Sequence, residues 1–76
     1  MEKVGIAVAL VDYQYIHATG TGGFTVKIEK EKEYDLIKRE GKVSVRVAER
    51  NGRDVFAPSF HRDRYKFIMY GKAKLK

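Results

Sequence analysis

Apolar and polar residues alternate along most of this chain. Phe24-Thr25-Val26-Lys27-Ile28-Glu29 sets an apolar residue at every second position, and Lys42 to Arg50 does the same with Val43, Val45 and Val47. A period of two is what a strand with one buried face requires. Tyr65 to Tyr70 and Asp54 to Ala57 are shorter stretches of the same kind, the second closed by Pro58, which ends regular pairing or marks an edge. Val4 to Thr19 alternates more loosely, with Ile6, Val8 and Leu10 on one parity and Val11, Tyr13 and Tyr15 on the other. That pattern predicts one or two strands bent near Asp12. Val4, Ala7, Val8 and Val11 also fit a helical stripe, but the Tyr-Gln-Tyr-Ile continuation favours strand. Tyr34 to Glu40 reads either as a short strand or as the end of a helix starting near Glu29 and stopped by Gly41. Gly20-Thr21-Gly22-Gly23 is a loop, and His61 to Arg64 a polar turn. The expected fold is mostly β, a small five- to six-stranded barrel or strongly curved antiparallel sheet. One short helix near 29–40 is the variant on that plan. Residues 1–70 form a single compact β-rich domain, and 71–76 a flexible basic C-terminal tail.

Asn51-Gly52 lies between two alternating runs and predicts a two-residue hairpin turn with positive φ at both positions. Such a turn sets the register: Arg50 opposes Arg53, Glu49 opposes Asp54, Ala48 opposes Val55, Val47 opposes Phe56 and Arg46 opposes Ala57. Opposed residues share a face. Val43, Val45, Val47, Phe56 and Phe60 then point to the core. Ser44, Arg46, Ala48, Arg50, Arg53, Val55 and Ala57 form a flat outer face rich in guanidinium groups. Two arginines set against each other are unfavourable unless an anion lies between them, and guanidinium forks accept phosphate oxygens in bidentate fashion.

Composition narrows the class. With no cysteine, disulfides and thiolate metal sites are excluded. Apolar packing must supply the stability, from eight Val, five Ile, four Phe, five Tyr and three Leu, a balance that favours strands. The longest apolar run, Val4 to Val11, is too short to span a bilayer and lacks the flanks of a signal peptide, so a cytoplasmic protein with no membrane partner is expected. Asn and Gln occur once each amid abundant Lys and Glu, a thermophile-like usage.

Charge points to the partner. Residues 1–37 carry four Lys against six acids, or −2; residues 38–76 carry twelve Lys or Arg against four acids, or +8. Such asymmetry suits a polyanion, so DNA or RNA is the expected partner. The expected contacts are Arg46, Arg50 and Arg53 on the hairpin, Arg62, Arg64 and Lys66 further along, and Tyr13, Tyr15 and Tyr70 as stacking surfaces for bases. The alternative is a small viral or mobile-element protein that docks its basic face on a host enzyme or nucleoprotein. An open strand edge also allows a homodimer. Catalysis has little to work with: Ser59, His61 and Asp63 alternate on one short stretch, which is no convergent triad. A ribonuclease-like pair of His17 and His61 is the remaining enzymatic reading. No metal or cofactor is expected. The acid-x-Lys triplet of a restriction-type nuclease core would fall on Arg46, Val47 and Ala48, so neither the acid nor the Lys is present and no such activity is carried across.

Overall fold

The computed structural model describes residues 2–70, so the tail expected at 71–76 lies outside the described residues. Among the described residues seven strands form rather than five or six: β1 (Glu2–Ala9), β2 (Tyr13–Thr19), β3 (Gly22–Ile28), β4 (Glu33–Arg39), β5 (Lys42–Arg50), β6 (Arg53–Phe56) and β7 (Tyr65–Met69). A six-residue 3-10 turn, Ser59–Arg64, joins β6 to β7. The chain does bend near Asp12, which divides the first alternating segment into β1 and β2.

Three reversals are two-residue hairpins, with Thr19 opposite Gly22, Arg39 opposite Lys42, and Arg50 opposite Arg53. Asn51 (φ 54°) and Gly52 (φ 76°) take the positive angles expected of a turn matched to strand twist. Glu40 (φ 52°) and Gly41 (φ 80°) do the same. This overturns the helix near 29–40: Gly41 completes a hairpin instead of stopping a helix. Tyr34 and Leu36, buried two residues apart, give this segment the period of a strand.

The strands form two antiparallel sheets. One has five strands in the order β6-β5-β4-β1-β7, and the other is the β2-β3 ribbon. β6 and β7 are the outer strands of the larger sheet, and no hydrogen-bonded strand pair joins the two sheets among the described residues. The ribbon supplies Val26 and Ile28 to the core, with Tyr13, Tyr15 and Phe24 packed against it. The larger sheet answers with Ala7, Ala9, Tyr34, Leu36, Val45, Val55 and Tyr65. Small residues on β1 let its backbone approach β7 closely. A Cβ at Gly5 would lie 2.2 Å from the Ile68 carbonyl oxygen, so this position of β1 accepts only glycine beside β7. The bend after β1 is anchored by Lys30 N–H donating to Asp12 Oδ1 (2.6 Å), Glu31 N–H to the Ala9 carbonyl (2.8 Å) and Leu10 N–H to the Arg64 carbonyl (2.9 Å).

Two irregularities interrupt the larger sheet, one between Lys3 and Gly5 and one between Arg46 and Ala48. The second changes the expected faces. From the turn, the register runs as expected through Arg50–Arg53, Glu49–Asp54 and Ala48–Val55, but the next pair is Arg46–Phe56. Val47 is the extra residue of a bulge, and beyond it the parity of β5 inverts. Val55 is therefore a core residue, at 5% exposure, where the unbroken register puts it outside. Phe60 leaves the core altogether, 77% exposed on the 3-10 turn.

Candidate functional site

The bulge separates the three hairpin arginines. Arg46 lies on the outer face of the larger sheet, opposite Asp35 on β4 and Phe56 on β6. Its guanidinium donates to Asp35 Oδ2, and its Nη1 lies 3.5 Å from Asp54 Oδ2. Lys3 Nζ completes the cluster 3.0 Å from Asp35 Oδ1. The hydrogen bond from Lys3 is the main reason the Asp35 carboxyl is held below its ordinary pKa, and the Arg46 bond adds to it against the opposing effect of desolvation. Two cations thus meet two carboxylates, and the charge of Arg46 is spent internally.

Arg50 and Arg53 face the other way, towards the ribbon. The Arg50 guanidinium stacks 4.2 Å from the centre of the Phe24 ring. Stacking fixes the plane of the group while leaving its N–H edges free. Neither Arg50 nor Arg53 has an ion-pair partner among the described residues. They line a cleft of about 710 Å³ between the tips of the β2-β3 and β5-β6 hairpins, together with His17, Thr19, Thr21, Gly23, Asn51 and Asp54. The His17 ring lies 5.2 Å from Phe24. The turn at the ribbon tip is shaped by Thr21 N–H donating to Thr19 Oγ1 at 3.3 Å. The cleft gathers guanidinium forks, hydroxyls and an imidazole, the donor set that an oxyanion recruits. Its lining carboxylate, Asp54, reaches to Arg46. The sequence named both arginines, and His17 only as half of a ribonuclease-like pair; it did not set His17, Thr19 and Thr21 beside the arginines, because no local pattern reveals that two hairpin tips meet.

The other expected contacts are dispersed. Tyr13 and Tyr15 point inward and are enclosed by rings: Tyr13 stacks on Tyr15 (6.1 Å), and His61 sets its edge against both (5.4 and 5.0 Å). Tyr13 and Tyr65 share a 2.6 Å hydroxyl–hydroxyl bond, and His61 Nδ1 is 3.3 Å from the Tyr13 hydroxyl. These rings are occupied by packing. Arg64 lies over Tyr13 (4.7 Å) and Arg62 over Phe67 (5.2 Å). Lys66 is exposed on β7, and Tyr70 follows that strand, partly exposed, with Lys3 Nζ 5.8 Å from its ring. His61 is only 5% exposed, and burial is the first cause that lowers its pKa. His17 and His61 therefore occupy unlike settings, an open cleft and a packed aromatic cluster. Among the described residues no group of three or more His, Asp or Glu gathers as a metal site would require. No helix is long and apolar enough to cross a membrane among the described residues. The chain matches no family model, no curated protein and no solved structure.

Proposed function

We propose that this protein is a non-catalytic nucleic-acid-binding module that grips the phosphate backbone in the cleft between its two hairpin tips. The reading rests on one observation: Arg50 and Arg53 are directly opposed, share a face, and have no carboxylate paired to them among the described residues. Like charges opposed across a hairpin are unfavourable by up to about 1 kcal/mol, and a phosphate between them reverses the sign. Phe24 beneath Arg50 holds one fork ready before the ligand arrives. Arg46 drops out of the interface, and its place is taken by His17 and the Thr19–Thr21 turn. The scaffold is read as a strongly curved antiparallel sheet, bent round the ribbon by its two bulges, so that the β5-β6 tip meets the β2-β3 tip.

Fluorescence anisotropy with labelled DNA and RNA oligonucleotides at low salt tests this. Arg50→Ala and Arg53→Ala should each weaken binding about ten- to a hundredfold, as expected for loss of a charge-assisted contact of about 1.5–3 kcal/mol. Arg46→Ala should stay within twofold of the unaltered protein. Equal losses from all three would mean that bulk charge, not the cleft, drives association. Absence of binding to any nucleic acid would end the proposal.

A further inference from the structure

Three of the four phenylalanines have a guanidinium over the ring: Phe24 under Arg50, Phe56 under Arg39 at 3.8 Å and Phe67 under Arg62. Phe60 has none. It is 77% exposed, the most exposed large apolar residue described, in a chain short of core-forming side chains. It is not on a slack loop. Its turn is closed by His61 N–H donating to the Pro58 carbonyl at 3.0 Å. Its ring stands edge-on to His61, 4.6 Å between centres. His61 in turn is buried against Tyr13 and Tyr15. An open aromatic face is thus held on a rigid base, with His61, Arg62 and Arg64 in the last turn beside it.

We infer that Phe60 is a stacking platform for an unpaired base, which makes single-stranded nucleic acid the preferred ligand. This inference rests on the proposed function and names the substrate class. Every base offers a π face, and stacking on an aromatic side chain is tolerant of sequence. A base inside a duplex has both faces covered and must be unstacked first, at a cost that a single exposed ring does not repay. The platform also lies within reach of the cleft. From Phe60 the ring-to-ring steps are 4.6 Å to His61 and 5.0 Å to Tyr15, and His17 follows two residues along β2. At about 3.3 Å per strand residue, Phe60 is within roughly 17 Å of the cleft wall. That span is within a footprint of about 4–16 nucleotides, the range of small single-strand-binding modules. A strand with its phosphates at Arg50 and Arg53 can lay a base on Phe60.

The chain contains no tryptophan, so Phe60→Trp creates a single reporter at the site. Titration with oligothymidylate should quench its emission, while a duplex of equal length should leave it unchanged at matched occupancy. Phe60→Ala should weaken single-strand affinity about tenfold and duplex affinity less than twofold. The exposure of the side chain leaves the fold intact, and an unaltered melting temperature checks that. If Phe60→Ala weakens both ligands equally, or the tryptophan emission ignores oligothymidylate while anisotropy reports binding, the inference fails. If Phe60→Ala changes nothing while Arg50→Ala and Arg53→Ala still lose affinity, the stacking role falls and the phosphate cleft stands. If the unaltered protein binds no nucleic acid, both fall.

Discussion

The Tyr15 hydroxyl is buried with no hydrogen-bond partner among the described residues, although Tyr13, on the same strand face, has two nearby. Burial pushes the Tyr15 pKa up to about 12, with the neighbouring Tyr13 contributing. A buried hydroxyl without a bond costs about 1–3 kcal/mol, so Tyr15→Phe should leave stability unchanged or raise it by about 1 kcal/mol. Tyr65→Phe should lower it by about 1 kcal/mol, because the Tyr13 hydroxyl loses its 2.6 Å partner. Thermal melts decide this, at about 4–8 °C per kcal/mol for a domain of this size. Equal destabilisation by the two variants would contradict the hydrogen-bond assignment. Below them, His61 makes stability depend on pH. Burial lowers its pKa first, with Arg64 acting in the same direction and Asp63 opposing. An unfolded His61 takes up a proton near its ordinary 6.5, while the folded imidazole resists until lower pH. Between those values the unfolded state binds more protons, so stability is lost as pH falls. The drop in melting temperature from pH 7 to pH 5 should shrink in His61→Asn; an undiminished drop would place the titrating group elsewhere. Asp35 has its own window, lower down: stability is full above its unfolded pKa of about 3.8 and fades as pH falls through the depressed folded value.

Among the elements, the strands were the most legible part. Val43, Val45 and Val47 announced β5, Asn51-Gly52 announced its turn, and the first three cross-strand pairs followed from both. The bulge at Val47 was not legible. It places a β-branched residue of high strand propensity where glycine or a kink would have signalled it, and one extra residue inverts every face beyond it. That single inversion sent Val55 to the core and Phe56 to the outer face, and it turned Arg50 and Arg53 away from Arg46, which keeps the outer side expected of it. The 29–40 segment hid its hairpin for a related reason. Glu40 occupies the left-handed region, which costs an L-residue other than Asn, Asp or Gly about 1–2 kcal/mol, so nothing in Glu-Gly advertises a turn as Asn-Gly does. The same cost makes a prediction at this scale. Glu40→Asn should stabilise the β4-β5 hairpin by about 0.5–1 kcal/mol, while Gly52→Ala should destabilise β5-β6 by about 1 kcal/mol or more. Chemical denaturation with unchanged slopes measures both. A destabilising Glu40→Asn would mean that the carboxylate does something the backbone angle does not reveal.

Across the whole molecule, the charge imbalance was visible in the sequence, but its map was not. The −2 and +8 halves are interleaved by the strand order, which sets β1 of the first half against β7 of the second. Asp35 and Lys3 from one half and Arg46 and Asp54 from the other form a mutually neutral outer cluster. Their charges cannot release counterions from a bound polyanion as free cations do. Arg50 and Arg53 remain available on the opposite face. Counterion release turns that difference into a measurable slope: log affinity falls with log salt by about 0.7 for each phosphate neutralised on a single strand. Arg50→Ala and Arg53→Ala should each flatten the slope by about that amount. Arg46→Ala should leave it unchanged, because removing one internally paired cation leaves Asp35 with Lys3 and unpairs Asp54 without removing a phosphate contact. Affinity alone cannot separate these cases, since a destabilised variant also binds weakly; the slope can, because it counts phosphates in whichever molecules are folded. A flatter slope in Arg46→Ala would show that its guanidinium leaves Asp35 when nucleic acid binds, and would return the outer face to the interface.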